Sequence, residues 1–310
     1  MGETDVFCAI DLGQSNTRWV VCRNTEQIAQ GVTGNGIINI FLHGGRDSFT
    51  RSLLDVRNAT MNYDFQVVSI AATGIERERS EYPIASSIAR EVFPRKRILL
   101  NSDIVALHFA NFEQSPGITL HAGSGTFAFG TDSSGNSMKV GGWGYLLGDA
   151  GGGYWIGLKG FQAAVRSLDG MRKSENLERE FYNYLQIRAR KEVKPRVYSE
   201  LFGSREVSGF CRIIFDLARS GDEICCEIIS DGAASLSDMI TPIVSKLGMN
   251  EPEICLAGRL LEEEEDYRNY IKESITRKFQ GKAVCFLRKH STLDGAKAIG
   301  LEALERKEYS

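Results

Sequence analysis

The sequence predicts an α/β protein built from two similar halves. Three observations carry that expectation. Apolar strand-like runs alternate with amphipathic helical stretches. Two glycine-rich turns each join a pair of apolar strands, one early in the chain and one in its middle. At 310 residues the chain is long enough to bury two cores.

In the first half, Val6–Ile10 leads into the turn Asp11-Leu12-Gly13-Gln14-Ser15-Asn16-Thr17-Arg18, and Trp19–Cys22 leaves it. Ile28–Gln30 reads as a third strand. Ser48–Arg57 reads as a helix with Phe49, Leu53, Leu54 and Val56 on its apolar side and Ser48 as cap. Gln66–Ala71 is a strand ended by Gly74. A helix opens at Pro83, runs through Val92 and is closed by Pro94. The short strand Ile98–Leu100 delivers Asn101-Ser102-Asp103, and Ile104–Phe112 is helical. Pro116-Gly117 marks the boundary. Residues 1–115 are expected to form one domain, with a C-terminal helix near 293–310 returning to it, and residues 116–292 the other.

In the second half, Ile118–His121 leads into Ala122-Gly123-Ser124-Gly125-Thr126, and Phe127–Gly130 leaves it. Gly152–Leu168 reads as a helix. Residues 171–206 are charged and mostly helical in propensity. Val207–Ala218 and Glu223–Leu247 read as long amphipathic helices, and Glu253–Ala257 and Ala283–Leu287 as buried strands. Asp294 is expected to cap a last helix through Leu304. The acidic run Glu262–Asp266 reads as a solvated helix start, where acids suit the positive end of the dipole.

The net charge of −3 offers no basic surface for nucleic acid or anionic membrane. No apolar run is long enough to span a bilayer, and no signal-peptide pattern precedes the first strand. The seven cysteines are scattered, without a C-x-x-C spacing, so neither a disulfide framework nor a zinc site is favoured. A reducing cytoplasm fits that usage.

The chemistry is read from the turns. Hairpin tips carrying Gly, Ser and Thr can bring backbone amides and hydroxyls to a polyphosphate, and a carboxylate at the base of one can hold a metal ion beside it. Asp11, Gly13, Ser15 and Thr17 suit that role in the first turn, and Gly123, Ser124, Gly125 and Thr126 in the second. Either turn alone also suits an ordinary hairpin. Together they point to phosphoryl transfer, with a nucleotide between two similar halves. Asp103, at a strand end that opens a helix, suits a general base or a helix N-cap. The stretch Gly141–Gly157 holds eight glycines in seventeen residues, interleaved with Trp143, Leu146, Leu147 and Trp155. Asp149 at its centre is a candidate for a substrate hydroxyl; the alternative is a structured crossover that touches no ligand.

These residues resemble the N-acetylglucosamine kinase family and its BadF/BadG/BcrA/BcrD-type ATPase relatives. The Gly141–Gly157 stretch is similar to the family signature G-G-W-G-x-x-L-G-D-E-G-S-G-x-W-I-G. The resemblance covers roughly residues 6–160 and, more weakly, 252–302. It implies two ribonuclease-H-like domains of the actin-like ATPase fold, with a cleft that takes ATP and a sugar. Asp11, Gly13 and Thr17 fall on its first phosphate motif, with Asp11 holding Mg2+ through water, and Gly123–Thr126 on its second. Asp103 falls on the acid that takes the proton of the sugar hydroxyl. Asn35, Gly74, Trp143, Gly144 and Asp149 fall on the sugar side, and Gly258 resembles the adenosine-site glycine.

Phe127 stands where the family has an Asn that helps to hold the sugar, and Ala150 stands where it has Glu. Glucose, mannose, glucosamine and N-acetylglucosamine therefore all stay open as acceptors. The resemblance implies an ATP- and Mg2+-dependent sugar kinase, a homodimer, that transfers phosphate to a C6 hydroxyl. An activator ATPase of a 2-hydroxyacyl-CoA dehydratase or benzoyl-CoA reductase-type system is the alternative.

Overall fold

A computed structural model describes residues 5–14, 16–34, 36–37 and 39–306. The chain divides into two compact units. The first comprises residues 1–114 and 288–310, the second residues 115–287.

Unit 1 is built on a five-stranded sheet of order β3-β2-β1-β4-β5. Its strands are β1 (Val6–Leu12), β2 (Thr17–Arg23), β3 (Glu26–Thr33), β4 (Val67–Ala72) and β5 (Arg97–Ser102). The first three form an antiparallel meander, and β4 and β5 continue from β1 in parallel. Each parallel step is made by a crossover helix: α1 (Gly45–Ala59) between β3 and β4, and α2 (Tyr82–Val92) between β4 and β5. α3 (Asp103–Phe112) follows β5 directly.

β1 is buried along its whole length because both of its faces are covered. Val6, Cys8, Ile10 and Leu12 pack with Phe49 and Leu53 of α1 and with Ala85 and Ala89 of α2. Phe7 and Ala9, on the opposite face, pack with Ala106 of α3 and with Ala296 and Leu304 of the C-terminal helix Thr292–Glu305. Period-two alternation therefore sends Asp11 to the same side as Phe7 and Ala9.

Unit 2 repeats the plan. Its strands are β6 (Gly117–Ala122), β7 (Thr126–Thr131), β8 (Ser137–Gly141), β9 (Glu253–Ala257) and β10 (Val284–Leu287). The order β10-β9-β6-β7-β8 is that of unit 1 read from the other edge, with the same antiparallel and parallel pairings. The helices are α4 (Gly153–Leu168), α5 (Glu175–Leu185), α6 (Val193–Val197), α7 (Ser204–Gly209), α8 (Cys211–Arg219), α9 (Glu223–Asp238), α10 (Ile240–Leu247), α11 (Arg259–Glu263) and α12 (Glu265–Lys278). Ile118 and Leu120 of β6 and Ile254 and Leu256 of β9 join one core with Ile156, Phe161, Phe210 and Leu236 from these helices.

The α/β class and the paired strand–turn–strand units match the expectation, but several boundaries differ. α1 starts at Gly45 with Gly44 as N-cap, so Ser48 lies inside the helix and does not cap it. Ser102 is the N-cap of α3, accepting from Val105 N, which leaves the Asp103 carboxyl free for other contacts. The Val207–Ala218 stretch divides between α7 and α8 around Phe210, and Glu223–Leu247 divides between α9 and α10 at Met239. Pro242 explains the second break, since it has no N–H to give and its ring crowds the carbonyl four residues back. Ser291 caps the last helix, and Asp294 is its reciprocal capping-box partner rather than the cap. The acidic run ends α11 and begins α12, with Glu264 between them. β8 carries no clear apolar alternation and was not expected.

Candidate active site

The first turn is a tight one. Gly13 N donates to Asn16 O at 3.1 Å, and Leu12 pairs with Thr17 across the hairpin. Ile37 N donates to Gly13 O, which ties the segment after β3 to the tip. One register step below, Asp11 pairs with Arg18. The Arg18 guanidinium donates to Asp11 Oδ2 from Nε at 3.1 Å and from Nη2 at 2.5 Å. Burial is the largest influence on the Asp11 carboxyl and raises its pKa; Arg18 and the nearby Arg288 oppose the rise. Thr17 is fully buried, and its Oγ1 has no hydrogen-bond partner among the described residues. An orphaned buried hydroxyl is costly, so its presence at a hairpin tip marks a place where a ligand oxygen would be satisfied.

Asp103 sits at the C-terminal end of β5, in the same unit. Its Oδ2 accepts from Thr73 Oγ1 at 2.8 Å, and its Oδ1 accepts from Ile104 N at 2.9 Å. Burial pushes its pKa up, these two bonds pull it down, and the negative charge of Asp11 adds to the rise. Thr73 in turn donates its own N–H to Leu12 O at 3.1 Å. Asp103 is thereby connected through Thr73 to the last residue of β1. Gly74, next to Thr73, has φ +76°, and a Cβ there would lie 2.4 Å from Asn39 Oδ1. Any side chain at this position would displace Asn39.

The second turn has the same form and different chemistry. Gly123 N donates to Gly125 O at 2.9 Å, and Ala122 pairs with Thr126. One step below, His121 pairs with Phe127, and the two rings stack at 4.8 Å with an interplanar angle of 5°. The carbonyls of Gly123 and Ser124 accept from Gly153 N and Tyr154 N, so the turn caps the start of α4. Gly258, after β9, has φ +96°, and a Cβ there would meet Ala122 O at 2.5 Å. Glycine is needed for β9 to end this close to the turn.

The glycine-rich stretch wraps the second turn. Gly142 N donates to Thr126 O, and Gly148 N donates to Gly144 O. Asp149 is buried in a left-handed conformation, φ +57°, which is uncommon outside glycine. Its carboxylate accepts from the backbone of Thr126 and Gly144, and burial raises its pKa. Its Oδ2 abuts Gly125, while its Oδ1 is buried without a hydrogen-bond partner among the described residues. Trp143, Leu146 and Leu147 face outward, being 71%, 81% and 81% exposed.

The expected site residues therefore fall into two groups. Asp11, Gly13, Thr17, Gly74 and Asp103 gather at one end of the unit 1 sheet. Gly123, Ser124, Gly125, Thr126, Trp143, Gly144, Asp149 and Gly258 surround the second turn in unit 2. Ser15 and Asn35 lie outside the described residues. Sequence reasoning missed Thr73, Arg18 and His121. Thr73 carried the one usable signal, a hydroxyl immediately after a buried strand. The other two become visible only from the cross-strand register.

The residues present suit a metal–nucleotide complex. The orphaned Thr17 hydroxyl and the turn amides match phosphate oxygens, and the Asp11 carboxylate matches a hard divalent cation.

Comparison with known proteins places the chain among named kinases and a family of ATPases. The chain is 26% identical over 189 residues to an N-acetylmuramic acid/N-acetylglucosamine kinase of Clostridium acetobutylicum, a match covering 61% of each chain. It is 25% identical over 262 residues to an N-acetyl-D-glucosamine kinase of Dictyostelium discoideum, covering 80% of this chain and 82% of the relative. The crystal structure of a putative N-acetylglucosamine kinase from Chromobacterium violaceum superposes with a TM-score of 0.71 at 15% identity, covering 96% of this chain and 98% of that one. That likeness is one of fold. The model of the BadF/BadG/BcrA/BcrD ATPase family matches residues 9–296, nearly the whole chain, and the protein belongs to that family.

Proposed function

We propose that the protein is an ATP-dependent sugar kinase that phosphorylates a hexose, or an amino- or acetamido-hexose, at its C6 hydroxyl. The observation that carries the reading is the position of Asp103: a carboxylate with a raised pKa, held by Thr73 and coupled through it to the first phosphate turn. A carboxylate placed this way can take the proton of an acceptor hydroxyl as that hydroxyl attacks the γ-phosphoryl group. The two curated relatives, both sugar kinases by name, support the same class.

In this reading Thr17 and the amides of the first turn bind phosphate oxygens. Asp11 holds Mg2+ through water, and the cation neutralises phosphate charge. Asp103 orients the acceptor hydroxyl and takes its proton. Thr73 fixes the Asp103 carboxyl and is a positioning residue. In unit 2, Gly123–Thr126 form the second phosphate turn, Gly258 lies against adenosine, and Asp149 offers its unpartnered Oδ1 to a sugar hydroxyl. Trp143, Gly144, Gly74 and Asn35 complete the sugar side, and Ser15 the phosphate side. Seven free cysteines suit a reducing cytoplasm, and we take the working form to be a homodimer. Among the described residues no helix is long and apolar enough to cross a membrane.

The test is ADP release with MgATP and a panel of glucose, mannose, glucosamine, N-acetylglucosamine and N-acetylmannosamine, against a control without sugar. The reading expects release that depends on a hexose. Equal release with and without sugar would overturn it.

A further inference from the structure

Arg18 is a charged residue of the first turn that the kinase mechanism leaves without a role. Both of its contacts go to a single oxygen, Asp11 Oδ2. The pair is lopsided: the Asp11 side chain is 6% exposed, while that of Arg18 is 44% exposed. A fixed, buried anion is thus joined to a cation that reaches solvent. The next residue back, Thr17, carries the buried hydroxyl that has no partner among the described residues.

Two cations have a claim on Asp11. A carboxylate oxygen that already takes two charge-assisted bonds is largely neutralised, and a second cation brought to it meets like-charge repulsion from Arg18. For Asp11 to serve a metal, the guanidinium must have another anion to go to. A guanidinium forks onto phosphate as readily as onto carboxylate. The side chain is half in solvent, so it can turn without unpacking the core. Its backbone stays fixed by the β1–β2 ladder.

We infer that Arg18 alternates between two partners. It holds Asp11 in the nucleotide-free protein, and it moves to a phosphate oxygen when a metal–nucleotide complex binds. This rests on the kinase reading above. Its consequence is an order of events: a free divalent cation does not load on Asp11 by itself, and the metal arrives with the nucleotide. Arg18 is then a positioning residue that keeps the metal site closed until phosphate supplies the compensating charge.

The test compares the full-length protein with Arg18→Gln and Arg18→Lys by two binding measurements that need no turnover. One is binding of Mn2+ alone; the other is binding of MgADP. Thermal melting checks that each variant is folded. For Arg18→Gln, Mn2+ alone is expected to bind roughly tenfold tighter and MgADP roughly tenfold weaker. Arg18→Lys keeps the charge but not the fork, so its MgADP affinity falls by less and its Mn2+ affinity stays close to wild type. Arg18→Met, which removes the charge and keeps the length of the side chain, is expected to show the same opposite shifts as Arg18→Gln and carries the test if Arg18→Gln fails to fold.

Opposite shifts support alternation, because a residue that merely braced Asp11 would weaken both ligands together. Loss of both, unchanged values for both, or tighter Mn2+ with unchanged MgADP would each overturn it. A wild-type protein that binds no MgADP would overturn the kinase reading itself, and that outcome is visible before any variant is made.

Discussion

The two glycine-rich turns share a backbone and differ in what stands beneath them. In both, a threonine leads the outgoing strand and is buried beside the tip: Thr17 opposite Leu12, and Thr126 opposite Ala122. In both, the pair one step further down is in contact across the strands. In unit 1 that pair is Asp11 with Arg18, an ion pair. In unit 2 it is His121 with Phe127, a stacked aromatic pair. The hydroxyls differ as well. Thr126 Oγ1 reaches Ala150 O at 3.4 Å, while Thr17 Oγ1 has no partner among the described residues. One sheet topology, used twice, thus places an ion pair beneath one turn and a stacked aromatic pair beneath the other. Under the proposed function, this difference puts the chemistry in unit 1 and a holding role in unit 2.

The strongest way to break that division is to remove the base from unit 1. Asp103→Ala should lower phosphoryl transfer by roughly 10²–10⁴-fold, the usual loss of a general base, while MgADP affinity stays near wild type. Steady-state kinetics alongside calorimetric binding would show it, and near-normal turnover would remove Asp103 from the mechanism.

The raised pKa of Asp103 adds a signed pH dependence. Its folded pKa lies above the unfolded value of about 3.9. Between those two values the folded state holds the proton more tightly, so stability falls as pH rises through that window and stays lower above it. Asp103→Asn should therefore raise Tm at neutral pH, with the gain vanishing below about pH 4. Transfer in the wild type should fall on the acid side at a higher pH than an ordinary carboxylate would give. Melting curves across pH read the first effect and pH–rate profiles the second.

The threonines sharpen the comparison. Thr17→Val removes a buried hydroxyl that has no partner, so the fold should be unharmed or stabilised by up to ~1 kcal/mol while nucleotide binding weakens. Thr126→Val gives up a weak bond and should cost stability by about 0.5 kcal/mol. Denaturant midpoints with paired ADP affinities would separate the two; matched responses would abolish the asymmetry.

A change in acceptor ranking is expected at Phe127. Phe127→Asn loses the His121 stack, worth about 0.5–1.5 kcal/mol, and introduces the Asn that the resemblance places at this position. Acetamido-hexoses should gain relative to hexoses in kcat/KM. An unchanged ranking would mean that Phe127 does not read the acceptor.

Much of this was legible in the chain. The strands that flank each turn announce themselves by apolar runs, and Asp103 by its place between the apolar strand and the helix that follows it. What the sequence could not show depends on register or on long-range closure. Thr73 reaches Asp103 across thirty positions because β4 and β5 are parallel neighbours. Arg18 meets Asp11 only if the hairpin is tight enough to place them opposite each other. Asp149 looks like a free loop acid until the surrounding glycines fold its carboxylate back against Gly125 and Thr126. β8 escaped notice because Ser-Met-Lys-Val-Gly is short and weakly patterned; its strand character comes from pairing with β7.

The central claim is phosphoryl transfer to a sugar hydroxyl, and the direct measurement is the product. Mass spectrometry of a reaction with MgATP and each hexose should find a sugar carrying one added phosphoryl group, formed in step with ADP and absent with Asp103→Ala. ADP accompanied by inorganic phosphate, with no sugar phosphate for any acceptor in the panel, would contradict the account.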